Sequence, residues 1–414
     1  MLCKPAEVSD ECITDALKNA FLISDTQEFQ FLPVGNDSNA FIYSVTGKIA
    51  SKTESSRFFL KLKKRCGLTF SALLVPSILS QEGIEEAVAP LCPRNAEELE
   101  NAQTVDSYSA HSLELYSARV GNTDYYLLAY PYIEGKSGME CGLSHVQWYE
   151  FGSLISRVHE MINIFCKSST CSPPVESFNS IWGRKVRAID KLICDYFETA
   201  NEPLAQQQNG FCASESKDIF VALETNNIGK KFAYAWKERR KEIFHVLSRC
   251  EELGHEVANV ADPSTFVLCH GDMHTANVLI SNDEQHSDFT SKRPKLWLVD
   301  WDECCIAPKE RDLMFLFDET RSANSAEVAM FLRGYFGCNA SNPLPFSWQH
   351  YVDKMALAYY RYEWAVQELG DSADRILLMQ AGLETLTSAL QDFEQLFSPG
   401  NVIQHAYKLD KSIL

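Results

Sequence analysis

No run of about eighteen or more apolar residues occurs in this sequence, and its start, Met1-Leu2-Cys3-Lys4-Pro5-Ala6-Glu7, has no charged stretch leading into an apolar block. Neither membrane spanning nor secretion is expected. Basic residues are short of acidic ones, 38 Lys and Arg against 56 Asp and Glu for a formal net charge of −18, which disfavours nucleic-acid phosphate as a partner. That charge is compatible with a cationic small substrate, though plain solubility is the simpler account of it. The 14 cysteines, scattered from Cys3 to Cys338, include no C-x-x-C pair, so they suit buried thiols of a reducing cytosol better than a zinc site or a disulfide frame. A cytoplasmic location follows as the expectation. Internal repeats, heptad arrays and low-complexity tracts are also missing.

At 414 residues the chain exceeds one typical core, so two or three lobes with a cleft between them are expected. The most informative stretch is His270-Gly271-Asp272-Met273-His274-Thr275-Ala276-Asn277, followed by an apolar run into Leu298-Val299-Asp300-Trp301-Asp302. Asp272 and Asn277 stand five apart, the interval at which a phosphoryl-transfer loop aims one carboxylate at a hydroxyl and one amide oxygen at Mg²⁺. Asp300 would be the second metal ligand. Val278-Leu279-Ile280 and Lys295 to Val299 are β-prone, and a hairpin of the two would bring Asn277 and Asp300 together. The polar connection from Ser281 to Pro294 reads as an exposed, mobile loop. The plain alternative makes Asp272 a turn residue and Asp300 a strand-end cap.

Toward the N-terminus, Ser9 caps a helix reaching Phe21. Three strands follow: Gln30 to Val34, Ala40 to Val45 and Arg57 to Leu62. Between the first two lies Gly35-Asn36-Asp37-Ser38-Asn39, whose small residues would let the backbone at Ser38 and Asn39 approach nucleotide phosphates, or make an ordinary hairpin turn. Lys61, inside an apolar strand, needs a partner for its charge. An ATP phosphate would be one; the alternative is an edge-strand lysine facing water, as expected for Lys63 and Lys64. Phe70 to Ser80 reads as a helix despite Pro76, and no acidic residue in it could pair with Lys61. Ala87 to Leu91 reads as a strand. Tyr125 to Tyr130 reads as another, running into Pro131-Tyr132-Ile133, which suits a hinge whose backbone meets an adenine edge. A capping box at Ser144 to Gln147 opens a long amphipathic helix on which His159 is structural, and helical periodicity recurs from Ser180 to Glu256, Met355 to Leu369 and Leu383 to Phe397. The Gln-rich stretch from Asn201 to Gly210 interrupts the first of these as a loop or insertion.

This order of parts, with Tyr130-Pro131-Tyr132-Ile133, HGDMHTANVL, LVDWDE and Ala307-Pro308-Lys309-Glu310-Arg311-Asp312-Leu313-Met314-Phe315, resembles the aminoglycoside phosphotransferase family, most closely its spectinomycin phosphotransferase branch. The resemblance spans nearly the whole chain. It implies an α+β, bilobal protein-kinase-like fold: a small antiparallel β-sheet lobe over 1–132 that binds nucleotide, and a large, mostly helical lobe over 133–414 that carries catalysis and the substrate pocket. It further implies Asp272 as the catalytic aspartate, Asn277 and Asp300 as magnesium ligands, Lys61 as the ATP lysine, and His270 and Asp312 as structural supports. Asp302 and Glu303, just past the metal site, would meet a cationic substrate, a second metal or water. ATP and Mg²⁺ are the implied cofactors, and spectinomycin or a related aminocyclitol is the first substrate to try. A kinase of a metabolic alcohol such as choline, homoserine or a sugar, and a nucleotide-binding scaffold without turnover, are the rival readings. The long connection from Ser281 to Pro294, the polar stretch Arg94 to Ser112 and the Asn201 to Gly210 region depart from the family pattern and leave the acceptor open. Nothing in the sequence reports on oligomeric state.

Overall fold

A computed structural model describes residues 4–5, 7–33, 40–50, 54–92, 116–165, 172–198, 219, 221–223, 225–281, 295–316, 326–338, 352–378 and 381–411. Helix α1 (Asp10–Ala20) starts where the sequence predicts, because the Ser9 hydroxyl accepts the Cys12 amide. It covers one face of an antiparallel sheet made by β1 (Ile23–Leu32), β2 (Ala40–Ile49), β3 (Ser56–Lys64), a short β4 (Ala118–Arg119) and β5 (Tyr125–Pro131), in the order β1-β2-β3-β5-β4. Alternation along β3 sorts its residues. Phe58, Leu60 and Leu62 join Ile13 and Leu17 in the core under α1, whereas Phe59, Lys61 and Lys63 lie on the opposite face, toward the large lobe.

Two expectations fail here. Lys63 was expected to face water, but β3 is the central strand, so the pleat that turns Lys61 inward turns Lys63 inward too, and it is 5% exposed. The apolar run Ala87 to Leu91 is not a strand. It makes one isolated parallel bridge, Ala87 with Leu298, and two further amide bonds, from Val88 to the Leu298 carbonyl and from Leu91 to the Ala129 carbonyl. Strand β1 also begins well before Gln30; its first half is polar because it pairs through irregular register around Asp25 and Glu28, both with positive φ.

Helix α2 (Phe70–Gln81) contains Pro76 and no acidic residue, and its buried face belongs to the core of the large lobe. Past Ile133 the chain adds β6 (Gly135–Ser137), which was not predicted. It joins β8 (Val278–Ser281) and β9 (Leu296–Leu298) in a sheet of order β6-β8-β9. A Cβ at Gly135 would lie 2.1 Å from the Ile280 carbonyl oxygen, so only glycine permits this approach. Helix α3 (His145–Glu160) opens with the predicted capping box between Ser144 and Gln147.

The large lobe is otherwise helical: α4 (Ile181–Glu198), α5 (Asn227–Val260), α6 (Ala326–Tyr335), α7 (Lys354–Leu377), α8 (Leu383–Gln395) and α9 (Val402–Lys411). Helices α4, α5, α7 and α8 fall on the three periodic segments of the sequence; α6 and α9 do not. A small ladder pairs β7 (Val267–Cys269) with β10 (Cys305–Ala307). No helix among the described residues is long and apolar enough to cross a membrane. The Ser38–Asn39 turn, the Ser281 to Pro294 connection beyond Ser281, the polar stretch from Arg94 to Ser112 and the region from Asn201 to Gly210 lie outside the described residues.

Candidate active site

Strand β7 delivers the chain into His270-Gly271-Asp272, and β9 ends two residues before Asp300. Between them, β8 starts immediately after Asn277. The predicted hairpin forms, with Val278 opposite Leu298 and the Val299 amide donating to the Asn277 carbonyl at 3.1 Å. Asp272, Asn277 and Asp300 therefore line the same cleft, about 830 Å³ in volume, together with Lys61, Pro131, Tyr132 and Ile133. Asp300 itself sits at φ 64, a left-handed conformation that aspartate tolerates better than most residues. Such a placement is common where a side chain must be aimed rather than merely accommodated.

Asp272 is fixed by its neighbours. Its Oδ2 accepts Nδ2 of Asn277 at 3.0 Å and lies 3.2 Å from Nε2 of His274, while its own carbonyl accepts Asn277 Nδ2 at 2.9 Å. Burial would push its carboxyl up, yet the His274 hydrogen bond and the charges of His274 and Arg311 hold it below the usual aspartate range. Burial works against the charge on His274 as well, and Asp272 more than offsets it, so that imidazole is raised. His274 is a member of the site that the sequence reading passed over.

The loop is held from beneath. Asp312 accepts the backbone N–H of His270 at 3.0 Å and of Gly271 at 2.8 Å, and its Oδ2 is 3.0 Å from Nε2 of His159, whose Nδ1 meets the Tyr335 hydroxyl at 2.8 Å. Burial of that carboxylate is countered first by His159, and its pKa falls. Gly271 has φ +87, and a Cβ there would lie 2.1 Å from the Glu303 carbonyl oxygen. His270 donates from Nε2 to the Val299 carbonyl at 3.0 Å and accepts the Asp272 amide on Nδ1, so one ring ties the loop to the approach of Asp300. Arg311 is buried and bound to Glu363 at 2.9 Å.

The charge of Lys61 has carboxylate partners. Its Nζ donates to Asp300 Oδ1 at 3.1 Å and to Asp302 Oδ2 at 2.6 Å; Lys63 Nζ donates to that same Asp302 oxygen at 2.6 Å. Burial opposes the Lys61 charge, but Asp300 and Asp302 outweigh it and hold the ammonium well above its ordinary pKa. Asp302 is accordingly held well below the carboxylate range despite its burial. It is turned to the two lysines. Glu303 lines the cleft, its carboxyl raised by burial.

At the end of β5, Pro131 has no N–H and the Tyr132 N–H donates to the Arg57 carbonyl at 3.2 Å, with the Arg57 guanidinium 4.0 Å above the Tyr132 ring. The outer part of the cleft is lined by Glu140, Trp182, Lys185, Asp371 and Asp374, of which Lys185 and Asp374 are bound to each other. No short-range pattern flagged these residues, which come from widely separated parts of the chain.

A family model described as the ecdysteroid kinase-like family matches residues 189–336. No curated protein sequence matches the chain. Among solved structures, the spectinomycin phosphotransferase complex with ADP and spectinomycin is similar over 99% of this chain and 100% of its own, at TM-score 0.63 and 22% identity. The AMP-bound complex of that protein is similar over 97% and 99%, at TM-score 0.59 and 22% identity. The chain thus has the protein-kinase-like fold, an antiparallel sheet lobe on a large helical lobe, that these phosphotransferases share.

Proposed function

We propose that this chain is an ATP-dependent O-phosphotransferase that moves the terminal phosphoryl group of ATP to a hydroxyl of a small molecule. The observation that carries the reading is the convergence of Asp272, Asn277, Asp300 and Lys61 on one cleft. A phosphoryl group in transfer needs positioning and charge neutralisation more than covalent help. Asp300 and Asn277 fit a magnesium ion, because they offer hard oxygen donors and the Asn277 nitrogen is already engaged by Asp272. Bound there, the ion would neutralise charge on the phosphates. Oδ2 of Asp272 is taken by Asn277 and His274, which leaves Oδ1 to orient an acceptor hydroxyl and take up its proton. At the hinge, the Pro131 carbonyl and the Ile133 amide are the groups available to an adenine edge. The division into a nucleotide lobe over 1–132 and a catalytic lobe over 133–414 belongs to the same reading.

For the acceptor, Glu140, Glu303 and Asp371 line the cleft beside the Lys185–Asp374 pair, and a bound cation would draw the raised Asp371 carboxyl into its charged form; this favours a hydroxylated cation and puts spectinomycin or another aminocyclitol first. The family match over 189–336 gives a second reading, an ecdysteroid as the acceptor alcohol. ADP formation is measured with a panel of spectinomycin, choline, homoserine, a sugar and an ecdysteroid. Stimulation by the aminocyclitol supports the first reading. Stimulation by the ecdysteroid alone transfers the assignment to the second, and magnesium-independent ATP binding with no ADP from any acceptor would reduce the protein to a nucleotide-binding scaffold.

A further inference from the structure

His274 stands between Asp272 and Asn277, and each of its ring nitrogens has a partner. Nδ1 accepts the Ala276 N–H at 3.2 Å, which makes His274 the cap of the short turn Thr275–Asn277. With Nδ1 engaged as an acceptor, Nε2 is the donor that meets Oδ2 of Asp272 at 3.2 Å. The ring is also held from outside the loop. It lies T-shaped to Phe315, with centroids 5.8 Å apart, and Phe315 lies T-shaped to Trp364 at 5.1 Å. Trp364 belongs to α7, where its indole N–H donates to Glu368 at 3.1 Å. A run of packed rings thus ties His274 to the helical lobe.

A carboxyl group turns easily about its terminal bond, because that torsion has broad wells. Asn277 restrains Asp272, donating from Nδ2 to Oδ2 at 3.0 Å and to the Asp272 carbonyl at 2.9 Å. Both ends of that restraint lie in one short loop, so the aspartate and the asparagine could shift together. His274 removes this freedom, since its second nitrogen and its aromatic neighbours anchor it independently of Asn277.

Building on the phosphotransferase reading, we propose that His274 is a positioning residue for the acceptor step. Its Nε2–H fixes Oδ2 of Asp272 and so turns Oδ1 toward the acceptor hydroxyl, while Nδ1 serves only the turn. The two duties fall on different nitrogens and can be separated by substitution.

The test compares the full chain as wild type, His274→Asn, His274→Gln and His274→Ala. ADP formation is measured against MgATP and against the acceptor that stimulates wild type most, with urea unfolding alongside. An asparagine oxygen replaces Nδ1 as the cap, but its amide falls short of Asp272. His274→Asn is therefore expected to unfold near the wild-type midpoint, to lose about ten- to a hundredfold in kcat, and to keep its KM for MgATP within about threefold. A glutamine nitrogen reaches about as far as Nε2 and restores the donor. His274→Gln is expected to come within about fivefold of the wild-type kcat, with a weaker cap and a lower unfolding midpoint. His274→Ala is expected to show both defects. Wild-type kcat in His274→Asn would overturn the proposal. So would a His274→Gln as slow as His274→Asn, because the Nε2 donor would then not be what matters, and so would losses of kcat that follow the unfolding midpoint across the three variants. Wild-type protein that forms no ADP with any acceptor would overturn the phosphotransferase reading itself, an outcome distinct from these.

Discussion

The carboxylate of Asp312 accepts the backbone N–H of Gly271 at 2.8 Å, from 41 residues further along the chain, and thereby holds the turn that presents Asp272. The same side chain accepts the His270 N–H and meets His159, so its removal strands several buried polar groups at once. Asp312→Ala is expected to destabilise the protein by about 3 kcal/mol or more. Urea unfolding measures this, and Asp312→Asn, which keeps one acceptor oxygen, should fall between the two. A loss below about 0.5 kcal/mol would mean that Asp312 does not brace the loop.

Arg311 and Glu363 form a buried pair at 2.9 Å, and the rest of the Arg311 charge has little water to turn to. Glu363→Ala should therefore cost about 3–5 kcal/mol, because an uncompensated guanidinium stays behind. The double variant Arg311→Met with Glu363→Leu should recover much of that loss. If the single and double variants unfold alike, the pair does not behave as a coupled buried unit.

Asp371, on α7 at the outer cleft, has its carboxyl pushed up to about 8, first by burial and then by the charges of Glu368 and Asp374. In the unfolded chain an aspartate titrates at about 4. Between these values the native state holds a proton that the unfolded state has released, so this group's contribution to stability is fully present below about pH 4 and is lost as pH rises to about 8. Asp371→Asn removes that titration. The variant should melt close to wild type at about pH 4 and increasingly above it as pH rises to 8; equal differences at the two ends would contradict the shift.

Local signals in the sequence carried a good part of this architecture. The Ser9 cap, the Ser144–Gln147 box and the β-prone runs on either side of the Ser281–Pro294 connection depend on neighbours within a few residues, and each forms as expected. Lys63 shows what such signals miss. Its Lys-Leu-Lys-Lys context looks like a wetted edge, but its counter-ion is 239 residues away and its strand is central only because β5 pairs on the far side. Ala87 to Leu91 fails for the opposite reason: the run is apolar enough for a strand, yet it meets only single residues of β9 and β5 and so never forms a ladder. Strand β6 is three residues long and depends on the glycine approach at Ile280, which no periodicity could reveal. The outer cleft was illegible because Glu140, Trp182 and Asp371 come together only in the folded chain.

The most direct measurement of the central claim compares ADP formation by wild type and Asp272→Asn at saturating MgATP, with the acceptor that stimulates wild type most. On the proposed reading Asp272 orients the hydroxyl without holding the nucleotide, so turnover should fall by about 10²–10⁴ while ATP affinity stays nearly unchanged. Full turnover by Asp272→Asn would contradict the account.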